Sequence, residues 1–144
     1  MDYRSGRIGR CIVVRFEHGD AVLEGLLELA KREQVRSGVF FLVGGIRNAR
    51  IVVGPEKEEL PPEPLWRSLD ESHETLGTGT VFWHGDEPKI HFHGAYGKGD
   101  RVLAGCLRER GEAFIVLEAV ILEIDGIEAG REVDPASGMV LLKL

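Results

Sequence analysis

The amino-acid sequence predicts an α+β fold, in which a mostly antiparallel β-sheet of about seven or eight strands packs against one main helix. Apolar segments rich in β-branched and aromatic residues recur along the chain, and such segments are typical of strands. The breaks between them, such as GDE and GKGD, have the composition of the short turns that connect antiparallel neighbours. A clear helical repeat is found in one place only. The length of 144 residues predicts a single domain over residues 1–144.

The helix is predicted over residues 20–34. Leu23, Leu26 and Ala30 recur there with the period of an amphipathic helix. Acidic residues precede basic residues along the segment, which favours the helix dipole. The carboxylate of Asp20 can accept hydrogen bonds from the free amide groups of the first turn, so we expect Asp20 to be the N-cap.

Strands are predicted on both sides of this helix. Residues 7–16 form the first strand and residues 38–45 the second, while residues 46–54 are either its continuation or its partner. The segment 55–72 contains four of the six prolines. Proline cannot donate to a strand ladder, so this segment cannot be a central strand. We expect a solvated loop that is functional or mobile, with Trp66 docked back onto the protein.

Strands dominate from residue 73 onward. They are predicted in HETLGTGTVFWHG, PKIHFHGAY, RVLAGCL and AFIVLEAVILEID. The sequence RERGE is interpreted as the turn between the last two of these strands. The final segment, VDPASGMVLLKL, supplies another turn and a last short strand.

The charge and the cysteines limit the classes of function and the compartment. The formal net charge is −6, so the surface as a whole does not attract nucleic acid or anionic membranes, and direct nucleic-acid binding is not expected. The longest apolar run, AFIVLEAVILEI, contains two glutamates and is too short to cross a bilayer. The N-terminal MDYRSGRIGR lacks the apolar core of a secretory signal. Cys11 and Cys106 form no disulfide framework, which suits a reducing cytoplasm, so we expect a cytoplasmic protein.

The segment PKIHFHGAYG contains the main candidate site, a pair of histidines one residue apart. Because strand side chains alternate, His91 and His93 share one face and Phe92 lies on the other. Their α-carbons are expected about 6.6 Å apart, which lets both imidazoles reach one divalent ion. Cys106, on the next predicted strand across the GKGD turn, is the best candidate for a third ligand. Two imidazoles and a thiolate suit zinc and, less often, other first-row metals.

The same pattern also has a structural interpretation. Half-exposed histidines with ordinary hydrogen bonds satisfy it, and a lone cysteine is commonly a small core residue. His18 and His84 are expected in turns, and His73 at the start of a strand. No GxSxG elbow or C-x-x-C motif is present, and GGIRNAR lacks the lysine of a phosphate loop.

The chain resembles the PPC domain family, plants and prokaryotes conserved, over nearly its whole length. The resemblance is carried by GDAVLEGLLELAKREQVRSGVF, the Gly-rich FLVGGIRNARI, HETLGTGTVFWHGDEPKIHFHGAYG and RVLAGCL, in that order. It implies an α+β fold and a homotrimer. It also implies a stand-alone prokaryotic domain, and some of these hold a metal through the histidine cluster. Plant members add an AT-hook, whose R-G-R-P core is absent from this chain.

One departure from the family pattern concerns the third ligand. Many prokaryotic members have a GGH motif where this chain has Ala104-Gly105-Cys106. Either Cys106 ligates in place of that histidine, or the site has become part of the packing.

Two functions of different classes follow. The first is a homotrimeric module of regulatory or assembly type that contacts itself and another protein. It would hold a divalent metal, such as zinc, at His91, His93 and Cys106. The second is a small metal-dependent enzyme of hydrolase or lyase type with its site at a subunit cleft. The first is favoured because no general acid or base can be identified beside the histidines.

Overall fold

The computed structural model describes residues 1–144 and confirms the α+β class. Six strands form one antiparallel sheet, and the last two form a separate hairpin. The elements are β1 (Arg7–Glu17), α1 (Val22–Arg32), β2 (Ser37–Pro55), β3 (Pro64–Leu69), β4 (His73–His84), β5 (Glu87–Lys98), β6 (Arg101–Asp125), β7 (Gly130–Val133) and β8 (Val140–Lys143). No helix is long and apolar enough to cross a membrane.

The two longest strands, β2 and β6, organise the sheet. They pair with each other, β2 also pairs with β4, β6 also pairs with β5, and β4 pairs with β5. The four strands β2, β4, β5 and β6 thus form a closed ring of pairings. Since β1 also pairs with β6 and β3 with β2, both ends of β2 and β6 are covered by neighbours. The segments 38–45 and 46–54 are therefore one continuous strand, as the first alternative had it.

The predicted turn at RERGE is wrong, because β6 runs through it. Arg110 and Gly111 take positive φ angles of 59° and 104° there. This backbone bends the strand without ending its pairing with β2. The bend could not be distinguished from a turn in the sequence, since both use Gly and polar residues.

The proline-rich segment also differs from the prediction of a loop, because residues Pro64–Leu69 form the edge strand β3 beside β2. The first residue of an edge strand is one of the positions that tolerate proline. Leu69 is fully buried, and Trp66 is half-buried as the docking prediction required.

The helix is shorter than predicted, and its N-cap is Ala21 rather than Asp20, with no side-chain cap. The Asp20 carboxylate accepts a hydrogen bond from the amide of Glu17 at 2.8 Å. It therefore closes the turn between β1 and the helix. Val22, Leu26 and Ala30 are the buried residues of α1 and join the main apolar core.

The sheet has two faces that we call the inner and the outer face. The inner face points to the core and carries Phe40 and Phe92, whose rings stack at 5.6 Å between centroids. Gly77 and Gly79 of β4 leave the space for these rings, because a Cβ atom at either position would collide with them. The neighbours of Phe40 and Phe92 along their strands consequently lie on the opposite, outer face.

The hairpin β7–β8 packs against the end of β4. A ring nitrogen of His84 lies 2.6 Å from the carbonyl oxygen of Arg131. The Arg131 guanidinium donates to the hydroxyl of Thr80 at 3.0 Å. In the hairpin turn, the Asp134 carboxylate accepts hydrogen bonds from the amide and the hydroxyl of Ser137.

Candidate metal centre

The structure brings the three predicted ligands together on the outer face. His91 and His93 lie on β5, and Cys106 lies on β6 directly opposite His93 in the strand register. One potential ligand atom from each residue falls within 4.8 Å of the others. The two Nε2 atoms of the histidines are 3.0 Å apart.

The convergence follows from local sequence. Phe92 is buried in the core, so strand alternation directs His91 and His93 outward together. The short turn between Lys98 and Arg101 then returns the chain beside β5. Cys106 is only 3% exposed, whereas both histidines are exposed. The sulfur therefore lies at the base of the group and the imidazoles at its open side.

The donor set fits a first-row divalent metal. Two imidazole nitrogens on a tetrahedral zinc ion, each bound at about 2.0–2.1 Å, lie about 3.3 Å apart, close to the observed 3.0 Å. The group spread of 4.8 Å requires small adjustments of the side chains. Three protein ligands leave one tetrahedral position for water or another ligand.

The electrostatics keep His91 ready to bind. Burial, and then the charges of His93, Arg131 and Arg108, lower the pKa of His91. A neutral imidazole has a free lone pair, and metal ligands must be deprotonated. Burial raises the pKa of the Cys106 thiol, and Arg108 partly opposes this rise. Metal binding at Cys106 therefore has to displace a proton.

The other three histidines lie outside this group. The ring of His18 accepts a hydrogen bond from the amide of Ile115 at 3.1 Å. His84 contacts the C-terminal hairpin. A ring nitrogen of His73 lies 2.8 Å from the carbonyl oxygen of Glu71. His18 lies in a turn and His73 begins β4, as expected, whereas His84 is the last residue of β4 rather than a turn residue.

Two adjoining cavities border the histidines, and few of the residues that form their walls could be predicted from the sequence. The smaller, about 240 Å³, is lined by His91, three cationic residues and part of the hairpin. The larger, about 520 Å³, is lined by both histidines, Cys106, Trp66 and several prolines. Only the docking of Trp66 was expected. The cationic residues of these walls are Lys89, Arg108 and Arg131.

The fold and the site define a small antiparallel β domain with a candidate three-ligand metal centre on its sheet face. The chain belongs to the Plants and Prokaryotes Conserved (PCC) domain family, whose model matches residues 3–125. The family resemblance of the sequence is thereby confirmed. No match was found among curated proteins.

Solved structures with the same fold support this assignment. A metal-containing protein from Archaeoglobus fulgidus is similar at 23% identity and a TM-score of 0.87, with 100% of each chain covered. A plant- and prokaryote-conserved protein from Pyrococcus horikoshii is similar at 25% identity and a TM-score of 0.86, covering 100% of this chain and 98% of that one.

A third solved structure shares the fold. It is a candidate DNA-binding protein from Ralstonia eutropha JMP134, similar at 24% identity and a TM-score of 0.72, with 92% of this chain and 90% of that chain covered. At this identity the likeness shows the shared fold and does not test nucleic-acid binding by this chain. The expectation that this chain does not bind nucleic acid, based on the net charge and the missing AT-hook, stays a prediction.

Proposed function

We propose that the chain is a homotrimeric PCC module of regulatory or assembly type that holds a divalent metal at His91, His93 and Cys106. The convergence of three ligand atoms within 4.8 Å is the observation that carries the metal site. The similar A. fulgidus protein, which is metal-containing, supports it. The reducing cytoplasm expected for this chain would keep Cys106 available as a thiol.

The ligand residues would divide the work. His91 and His93 would supply neutral nitrogen ligands from one strand, and Cys106 would supply a thiolate from the next. The positive charge of Arg108 favours that thiolate. A bound zinc ion would supply Lewis acidity and neutralise the thiolate charge.

Self-association is supported by the apolar side chains of the outer face. Phe41 lies opposite Val120 on β6, and Val120 lies opposite Val13 on β1. Val43 and Leu76 continue this surface across β2 and β4. Leu76 is 67% exposed and Phe41 is 49% exposed. Contiguous exposed apolar side chains mark interaction surfaces, and a second copy of the chain would cover them.

The metal ligands and the apolar surface are close neighbours. His93 lies opposite Thr78, and Thr78 lies opposite Phe41, so all three belong to one row across the sheet. A subunit packed on Phe41 would therefore border the metal ligands. This arrangement also suits the second candidate function, a small metal-dependent hydrolase or lyase at a subunit cleft. The open tetrahedral position and the two adjoining cavities favour that alternative.

Elemental analysis of the purified protein tests the metal site. We expect about one metal ion per chain in the wild type and in His73→Ala, and a loss of most of it in His91→Ala/His93→Ala. His73→Ala is the matched control because it removes a histidine outside the group. Cys106→Ser should lose less metal than the double histidine variant, since two imidazoles remain. Equal metal content in the wild type and the double variant would refute the site.

Light scattering of the metal-loaded and metal-free proteins separates the two functions. A trimer that forms with metal and falls apart without it assigns the metal to assembly. A trimer indifferent to metal, with an exchangeable water on the bound ion, favours the enzyme.

A further inference from the structure

The smaller cavity beside His91 has a charge opposite to that of the molecule. Lys89, Arg108 and Arg131 line it, and no acidic residue does, although the chain has a net charge of −6. None of the three cationic residues forms an ion pair with a carboxylate. The cavity therefore concentrates uncompensated positive charge in about 240 Å³.

Arg131 gives the strongest single indication of a ligand. It is only 7% exposed, and its one side-chain hydrogen bond goes from Nη2 to the hydroxyl of Thr80. Its Nε atom is buried without a hydrogen-bond partner. Burial, and then Arg108, lower the pKa of Arg131. A buried guanidinium with unused donors is destabilising until an anion accepts from it.

Arg108 is directed at this cavity by an irregularity of β6. Arg50 pairs with Glu109 and Ile51 pairs with Leu107, so Arg108 has no partner on β2. An extra residue of this kind re-aims its side chain and is common beside functional sites. Arg108 lines both cavities and so lies where they meet.

The larger cavity offers a surface of different character. Trp66 forms part of its wall together with three prolines of the segment around β3. The guanidinium of Arg50 covers the Trp66 ring at 4.4 Å, which holds the indole in place. His91 and Met139 line both cavities. One molecule that spans the two cavities would therefore pass directly over the histidine pair.

We propose that the two cavities bind a small molecule that carries a phosphate group and a flat apolar body. The phosphate would lie among Lys89, Arg108 and Arg131, because a dianion neutralises more of their charge than one carboxylate does. The body would pack against Trp66. This inference goes beyond the function proposed above, since none of these contacts requires a metal.

The C-terminal hairpin completes the site and restricts what can enter it. Arg131, Met139 and Val140 come from this hairpin, which lies beyond the residues matched by the family model. A backbone phosphate on the outside of a DNA duplex cannot reach a guanidinium that is 7% exposed. The shape therefore favours a small phosphate ester over a nucleic-acid backbone.

Calorimetric titration of the purified, metal-free protein tests the inference. The probes are phenyl phosphate, inorganic phosphate, benzoate and phenol. We expect saturable binding of phenyl phosphate, more than about tenfold weaker in Arg131→Gln and in Arg108→Gln. Trp66→Ala should weaken phenyl phosphate binding and leave inorganic phosphate binding unchanged. Arg7→Gln is the matched control, because it removes one exposed charge that lines neither cavity.

The arms of this experiment separate its outcomes. Arg108 is exposed and makes no side-chain hydrogen bond, so Arg108→Gln remains informative if Arg131→Gln fails to fold. His93→Ala removes a candidate metal ligand that lines only the larger cavity, so it should still bind inorganic phosphate, which distinguishes failure of this site from failure of the metal site. Equal affinity in Arg108→Gln and Arg7→Gln, or tighter binding of benzoate than of phenyl phosphate, overturns the proposal. So does tight binding of a duplex oligonucleotide, dependent on Arg108, without phenyl phosphate binding.

Discussion

The inner and outer faces of the sheet are built by alternate residues of the same strands, yet they meet different demands. On the inner face, Phe40 and Phe92 stack across glycines and are fully buried. On the outer face, the next residues are an exposed Phe41 and the exposed His91 and His93. The side chains of the inner face find their packing partners within the chain. The outer face, in contrast, leaves apolar side chains and potential ligand atoms exposed for a partner or a ligand.

The difference shows how a small domain keeps function apart from stability. The ring of Phe92, buried between two candidate ligand residues, fixes the direction of both, so packing pre-organises the candidate site. The outer side chains can then be changed with little consequence for the core.

The largest effect is expected from the pair Phe40 and Phe41. Phe40→Ala removes a fully buried ring and should reduce the free energy of unfolding by about 3–5 kcal/mol. Phe41→Ala removes a half-exposed ring and should cost about 1 kcal/mol or less when the chains are dissociated. Urea unfolding at low protein concentration measures both. Equal losses would show that the outer face is also core.

A smaller effect is expected from charge on the outer face. Leu76→Lys places a cation in the apolar surface opposite Val43, and we expect it to weaken self-association by about a hundredfold. Light scattering over a range of protein concentrations measures this change. The urea midpoint of the dissociated chain should be unaltered, because Leu76 is largely exposed. An unchanged trimer would remove this surface from the assembly.

The strand pattern was sufficient to predict that His91, His93 and Cys106 converge. His91 and His93 share a face because of the two-residue period, and the GKGD turn determines that β6 returns beside them. Trp66 docks as predicted, although the segment predicted as a loop contains the edge strand β3. The α+β class and the family were also confirmed. Both were predicted from the order of short strand and helix segments along the chain.

The rest of the site depends on pairing between distant segments. Arg108 lines the cavity because it has no pairing partner on β2. Nothing in the sequence near residue 108 indicates that irregular register. Arg131 arrives through the hairpin, whose position on β4 depends on contacts with His84 and Thr80. The continuity of β6 through its bend is likewise decided by its long pairing with β2. Strand propensity, which is a local property, cannot predict which distant segments pair or in which register.

The smallest effect concerns the two glutamates of β6, one near each face. At the rim of the inner face, Glu123 forms a two-point ion pair with Arg10, at 2.7 Å and 3.3 Å. Glu118 is exposed on the outer face and forms no ion pair. The hydrogen bond from Arg10 lowers the pKa of Glu123 below its ordinary value of 4.5.

A carboxyl group with a lowered pKa stabilises the fold above its ordinary value, and that contribution is lost as the pH falls through the lowered pKa. We therefore expect Glu123→Gln to lower the unfolding midpoint by roughly one to three degrees at pH 7. The difference from the wild type should shrink as the pH falls below 4.5. Glu118→Gln, the matched control, should leave the midpoint unchanged across the same range. Thermal unfolding followed by circular dichroism gives both profiles. If the midpoints of the two variants change equally with pH, the ion pair between Arg10 and Glu123 does not distinguish the inner from the outer face.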